Sequence, residues 1–327
     1  MWTVLTIVTI IATAVMFLAM QRGQFDVRRE LKVEAPLETT FAAIVDFKSW
    51  PEWSPWLLHE PDAQIAYSDD YQQEEGYYKW EGSVIGAGRL THIRINNNRS
   101  IQQQIEFLRP FKSSSEVSWS FEARGDQTLV SWEMHGTMPF LFRFMARSIE
   151  PMIGRDYELG LALLNGYLNG SAAHPCIYFV GRESLDDFSY WSIPFHGNLR
   201  QLEASRRSSI ESLESASAGK AGLPLTLYHQ LDPMSTSYQA EFALPIAETA
   251  PLTNYSRREF SGGEYFKITL RGDHRFLSLA WHALFSHCRM HRIKLDKSRP
   301  ALEIYQDDPS GVDDSNQINT TLYLAIR

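Results

Sequence analysis

Two stretches of this chain repeat one another about 75 to 80 residues apart, too far for a solenoid unit and suited to a duplicated half-domain. The first reads Pro224-Leu-Thr-Leu-Tyr228, then Asp232-Pro233, then a strand ending Leu244-Pro-Ile246. The second reads Pro300-Ala-Leu-Glu-Ile-Tyr305, then Asp308-Pro309, then a strand ending Leu324-Ala-Ile326. A helix precedes each copy, Asn198 to Ser215 in one and His274 to His291 in the other, and each helix follows a strand containing aromatics. Such strand-helix-strand-strand units are expected to pack about a pseudo-twofold axis.

A second constraint lies at the other end. Trp2 to Met20 (WTVLTIVTIIATAVMFLAM) has no charged residue, no Pro and no Gly. At about 1.5 Å per residue, a helix of this length reaches roughly 28 Å, close to the roughly 30 Å hydrocarbon core of a bilayer. A helix satisfies its own backbone inside lipid. The segment lacks the basic leader and small-x-small site of a cleaved signal peptide. Residues 1–21 are therefore expected to be a retained single-pass membrane anchor, with a buried core helix as the alternative. Arg22, Arg28, Arg29 and Lys32 follow the segment and nothing basic precedes it. By the positive-inside rule, the soluble domains are expected in the cytoplasm.

Composition narrows the rest. Two cysteines, Cys176 and Cys288, are too few for a disulfide framework. A formal net charge of −8, with no long basic run, argues against nucleic acid as partner. The remaining chain, about 300 residues, exceeds one ordinary core, so two domains are expected. Residues 25–35 alternate like a half-buried strand, and Pro36 opens a helix. The segments YYKWEGSV, RLTHIRI, SIQQQIEFL, SEVSWSFEA and TLVSWEMHG read as consecutive strands separated by turn signals. Apolar residues at helical spacing then predict a long helix over 140–169, kinked at Pro151.

Strand, short helices, strand run and long helix is the order of a helix-grip fold. With VRRELKVEAPLETTFAAIVDFKSWPEWSPW and the Trp-bearing strand TLVSWEMHG, residues 24–170 resemble the SRPBCC (START-like, polyketide cyclase/dehydrase-like) superfamily. The resemblance implies a curved antiparallel sheet gripping the last helix, with an apolar cavity between them. Residues 173–327 carry the duplication together with F-S-G-G-E-Y-F (260–266), A-W-H-A-L-F (280–285), E-I-Y-x-x-D-P (303–309) and T-L-Y-L (321–324). They resemble the GyrI-like family, the effector-binding domain also found in AraC-type and MerR-type regulators. The likeness is strongest in the second half. The first half departs from it, with a Ser- and Arg-rich helix and a loose loop at Ala216 to Gly222. The expected fold class is α+β: a transmembrane helix, a helix-grip domain, then a duplicated β-α-β-β domain.

Glu303 is the foremost candidate for chemistry. A period of two sets Leu302 and Ile304 on one strand face and Ala301, Glu303 and Tyr305 on the other. Aligned on its tyrosine, the first repeat has Thr226 at the matching place, so the acid occurs in one half alone. The resemblance implies that this Glu lies in a cleft and meets cationic or polar ligands. A carboxylate walled by aromatics has reason to select cations, through desolvation and cation–π attraction. Trp281, Tyr265, Tyr228 and Tyr305 are the aromatic candidates for the cleft, with core packing as the alternative for each. In the first domain, Trp50, Trp53 and Trp56 either close the cavity mouth or cap the core. His92 and Glu106 could face that cavity.

Other constellations lack a complete set. His287 and His291 stand at i, i+4, but further metal ligands are not evident. Asp307, Asp308, Asp313 and Asp314 do not have calcium-loop spacing. Cys288 and His287 are adjacent on a helix and point apart. Neither a metal nor a cofactor is expected. The function expected is a non-enzymatic, membrane-anchored sensor or carrier of apolar or cationic amphipathic ligands. Alternatives are an enzyme acting through Glu303 on small electrophilic or polyketide-like substrates, and a protein-contact scaffold.

Overall fold

Alternating sequence produces strands in both halves of the chain, and the computed structural model shows how they assemble. It describes residues 2–110, 112–169, 175–217, 222–231, 237–246, 255–307 and 314–327, without the side chains of residues 3–5, 8, 11 and 14. Asp232-Pro233, Asp308-Pro309, Asp313 and most of the segments 169–175 and 216–222 lie outside the described residues. The chain divides into two compact units, Met1–Ser171 and Ala172–Arg327. Both are α+β with antiparallel sheets.

Unit 1 begins with α1 (Trp2–Met20). A span needs about 20 consecutive apolar residues. Among the described residues no helix is long and apolar enough to cross a membrane, so the expectation of a transmembrane helix over 1–21 is not supported. The described side chains of α1 from Thr6 to Phe17 are all exposed.

The sheet of unit 1 has the order β1-β7-β6-β5-β4-β3-β2. Its strands are β1 (Gln24–Val33), β2 (Gln64–Tyr67), β3 (Tyr77–Glu81), β4 (Ala87–Asn96), β5 (Ser100–Arg109), β6 (Ser113–Arg124) and β7 (Gln127–Thr137). Two short helices, α2 (Leu37–Val45) and α3 (Trp50–Trp53), fill the β1–β2 connection. The long helix is α4 (Ala146–Asn169), which packs on β1. It starts later than periodicity suggests, because Phe140–Met145 forms a tighter 3-10 turn instead. Arg29 ties β1 to α4, its Nε 2.6 Å from Glu158 Oε1 and its Nη1 2.8 Å from Glu150 Oε1. Gly154 permits that crossing, since a Cβ there would collide with the Arg29 guanidinium.

Unit 2 is one sheet of eight strands in the order β12-β9-β11-β10-β14-β15-β13-β8. Its first half supplies β8 (Cys176–Leu185), β9 (Phe188–Gly197), α5 (Leu199–Ser217), β10 (Leu225–Gln230) and β11 (Tyr238–Pro245). The second supplies β12 (Ser256–Phe260), β13 (Gly263–Arg271), α6 (Leu277–Met290), β14 (Ala301–Tyr305) and β15 (Asn319–Ala325). Each half thus has one strand more than the repeat alone predicts, β8 or β12. Exchanging each strand for its counterpart leaves the order unchanged. Each half lends its first strand to the other, because β8 pairs with β13 and β12 with β9. The β8–β9 and β12–β13 connections meet there, where Gly262 N donates to Asp187 Oδ1 at 2.7 Å. Any Cβ on Gly262 would collide with the Leu185 carbonyl, which gives the double glycine of F-S-G-G-E-Y-F a structural reason.

One sheet face buries Leu225, Leu227, Ala243, Tyr265, Leu302 and Tyr323 as a core. On the other, Leu213 of α5 packs against Trp191 and Leu244.

Candidate functional site

At the centre of unit 2, β10 and β14 run antiparallel with Thr226 directly opposite Glu303. The two repeats therefore meet at the position where they differ. Glu303 has 0% exposure, and its carboxylate is enclosed by the chain's own donors. Tyr305 Oη donates to Oε1 at 2.5 Å, Tyr228 Oη to Oε2 at 3.0 Å and Trp281 Nε1 to Oε2 at 2.9 Å. Arg206 Nη2 of α5 stands 3.3 Å from Oε1. Thr226 Oγ1 is 2.7 Å from Tyr305 Oη, and the Arg206 guanidinium lies over the Tyr305 ring, 5.6 Å from its centroid.

The electrostatics follow from this enclosure. Burial works against the Arg206 charge, but Tyr305, Glu303 and Tyr228 outweigh it, so the guanidinium is held charged above its ordinary range. Burial, then Glu303, pushes the Tyr228 phenol well above its ordinary pKa. Burial is also the main cause of the rise at Tyr305, so both phenols remain neutral donors. A buried ion pair of this kind survives desolvation when further hydrogen bonds satisfy it. Here two phenols and an indole do so for the carboxylate, while Arg206 Nε is buried without a hydrogen-bond partner.

Arg206 was missed by the sequence reading. The usable signal is its place on α5, where Leu202, Arg206, Leu213 and Ser217 are the buried positions. A buried arginine on the apolar stripe of an amphipathic helix calls for an acid opposite.

A cavity of about 660 Å³ borders the cluster, within the range of small-molecule sites. Arg206 and Tyr305 form part of its wall, with Ile210, Leu223 and Pro224 supplying apolar surface. Arg206 is engaged by Glu303, and Arg207 Nε reaches Glu211 Oε1 at 2.8 Å. The other charged wall residues are Glu203, Glu214, Asp307 and Arg275, an excess of acid.

Of the residues singled out in the sequence, Glu303, Tyr228, Trp281 and Tyr305 come together. Tyr265 does not join them. It lies in the core on the Leu302 face, opposite to Glu303, with its hydroxyl donating to Pro300 O at 3.1 Å. His287 stacks on Phe179 and His291, with ring centroids 4.1 and 3.9 Å apart. Burial pushes the Cys288 thiol up to about 12, so it is no nucleophile at neutral pH. Asp307 accepts from Asn319, and Asp314 caps the turn Ser315–Gln317.

Unit 1 places its aromatics differently. Trp50 and Trp53 are each 1% exposed, and their indole N–H groups donate to Ile44 O and Ser49 Oγ at 3.0 and 3.1 Å. Trp56 is half-buried and donates to Asp156 at 3.3 Å. Trp119, Trp132 and Tyr157 form a continuous stack with centroid spacings of 4.2 and 3.8 Å. Aromatic rings thus fill space between sheet and α4 where a cavity was expected. His92 belongs to an internal chain: it faces Val45 O at 3.0 Å and Gln103 Nε2 at 3.3 Å, while Gln103 Oε1 accepts from Trp119 Nε1 at 2.9 Å. Glu106 instead pairs with Arg89 at 2.5 Å on the surface. Two donors inside the stack, Trp132 Nε1 and Tyr157 Oη, have no hydrogen-bond partner.

No curated protein matches the chain. Three solved structures align with part of it. Protein MLL2253 from Mesorhizobium loti is 13% identical, covering 45% of this chain and 98% of that one at a TM-score of 0.36. The EcmrR C-terminal domain is 15% identical, with 47% and 97% covered and a TM-score of 0.38. The Aha1 dimer from Colwellia psychrerythraea is 16% identical, with 44% and 95% covered and a TM-score of 0.33. Residues 24–168, all within unit 1, match the profile of the family described as polyketide cyclase / dehydrase and lipid transport, an SRPBCC-type family.

Proposed function

We propose that this chain is a small-molecule-binding protein held at a lipid surface, with unit 2 as an effector-binding domain of the GyrI-like kind. One observation carries the reading: a fully buried carboxylate, Glu303, is closed by an aromatic box and an internal cation, and two of those partners, Arg206 and Tyr305, line a cavity of about 660 Å³. Arg206 sits where the positive group of a ligand would sit. The box is built to hold a cation, and the acid excess of the cavity wall favours amphipathic ligands carrying one.

Glu303 has its oxygens committed to internal donors, which favours binding over acid–base catalysis at this position. Unit 1 fits the same reading through the family it matches. The tether is α1, uncharged along its length, and the following basic residues favour a cytoplasmic body. Arg28 and Arg29 are, however, engaged by Glu30, Glu133, Glu150 and Glu158.

Native mass spectrometry of the full chain released from detergent tests the reading. A reproducible small-molecule adduct is expected, and Ile210→Trp, which fills the cavity, should remove it. An adduct that survives Ile210→Trp would place the ligand elsewhere.

A further inference from the structure

The exposed apolar surface of unit 1 is concentrated on two segments that touch. One is α1, where Ile7, Ile10, Met16 and Phe17 are each more than half exposed, at 57, 63, 62 and 56%. The other is the 3-10 turn Phe140–Met145, where Phe140, Leu141, Phe144 and Met145 are exposed, Leu141 by 66%. The sheet fixes their proximity. Gln24, just after α1, pairs with Thr137 at the end of β7, and Met138 N donates to Gly23 O at 2.8 Å. The turn packs against α1 directly.

The chemistry of both segments suits lipid better than protein. The described side chains of α1 are apolar or threonine on every azimuth, whereas a helix docked in a protein groove keeps a polar side. Thr6 and Thr13 return their hydroxyls to the carbonyls of Trp2 and Thr9 at 2.9 and 2.8 Å, leaving methyl groups outward. Charge near the turn has one sign: Arg22, Arg143 and Arg147 flank it, and no acid occurs from Met138 to Ile149. Arg143 is half-buried, with its stem against Gly23, and Arg147 is exposed.

We propose that Phe140–Met145 is a membrane-seating surface, immersing Phe140, Leu141, Phe144 and Met145 in an anionic bilayer beside α1. Arg143 and Arg147 meet lipid phosphates there. The proposal rests on the lipid tether of α1, and it fixes which end of unit 1 faces the bilayer.

The test uses the full chain in phosphatidylcholine vesicles, with and without phosphatidylglycerol and containing a spin-labelled quenching lipid. An environment-sensitive fluorophore is attached at Leu141→Cys, at Phe17→Cys, or at Asp126→Cys in the turn at the other end of β7. Each chain also carries Cys176→Ser, while the buried Cys288 resists labelling. Several-fold stronger quenching at 141 and 17 than at 126 is expected, with the signal at 141 weakened by Arg143→Gln/Arg147→Gln when phosphatidylglycerol is present. Quenching at 17 alone would overturn the seating surface and leave the tether. Quenching at neither would overturn both.

Discussion

The interiors of the two units solve the same problem with opposite materials. Unit 1 fills the space beneath its sheet with stacked neutral rings, and buried His92 sits in an uncharged hydrogen-bond chain. Unit 2 buries a carboxylate and a guanidinium against each other and leaves a cavity beside them. Rings owe their stability to contact area, which a ligand could only displace. A buried charge owes its stability to a counter-charge, and any cation that reaches it can substitute for the internal one. On the function proposed above, the difference makes unit 2 the place where a cation would be bound.

The largest expected effect tests the packed side. Trp119→Ala should cost about 4 kcal/mol, from lost ring contacts and from leaving Gln103 without its indole donor. A loss under about 1 kcal/mol by urea unfolding would mean that the stack is loose. Next comes the charged side. Arg206→Met leaves Glu303 buried without its cation and should cost about 3 kcal/mol. Adding Glu303→Gln should restore most of this, since both charges are then gone. Equal instability of the single and double variants would show that Arg206 acts through packing rather than charge.

Acid should weaken both units. Burial holds His92 and His287 at about 4 in the folded chain, against about 6.5 when unfolded. Between these values the unfolded state binds more protons, so stability falls as pH drops from 6.5 toward 4 and levels off below. By pH 5.5 each imidazole should cost about 1.4 kcal/mol. A drop confined to unit 2 would place His92 in water. The smallest effect belongs to Arg207→Ala. It breaks an exposed pair on α5 and should cost about 0.5 kcal/mol or less, in contrast with its neighbour Arg206.

Legibility in the sequence followed the range of the interactions. Strands β3 to β7 could be read from alternation and turn residues, and the strand faces of Leu302 and Glu303 from a period of two. The late start of α4 could not, because Pro139 and the run Phe140–Met145 satisfy helical periodicity while adopting a tighter turn. β8 and β12 escaped the repeat because each completes the sheet of the opposite half, a partnership without local pattern. Tyr265 looked equivalent to Tyr228, yet its strand register sends it to the other sheet face. At the site, Glu303, Tyr228 and Tyr305 were readable from the repeat, and Trp281 from the motif Ala280 to Phe285. Arg206 was not, since the repeat is weakest on its helix and only its spacing from Leu202 and Leu213 separates it from the exposed Arg207.

The central claim is that Arg206 occupies a cation site belonging to unit 2. Calorimetric titration of the full chain with a lipophilic quaternary ammonium tests it, comparing the unaltered chain, Arg206→Met and Arg206→Met/Glu303→Gln, each checked for folding by near-ultraviolet circular dichroism. Removing the internal cation should strengthen binding tenfold or more, and the second substitution should abolish that gain. Folded Arg206→Met that binds the ammonium no more tightly than the unaltered chain would contradict the account.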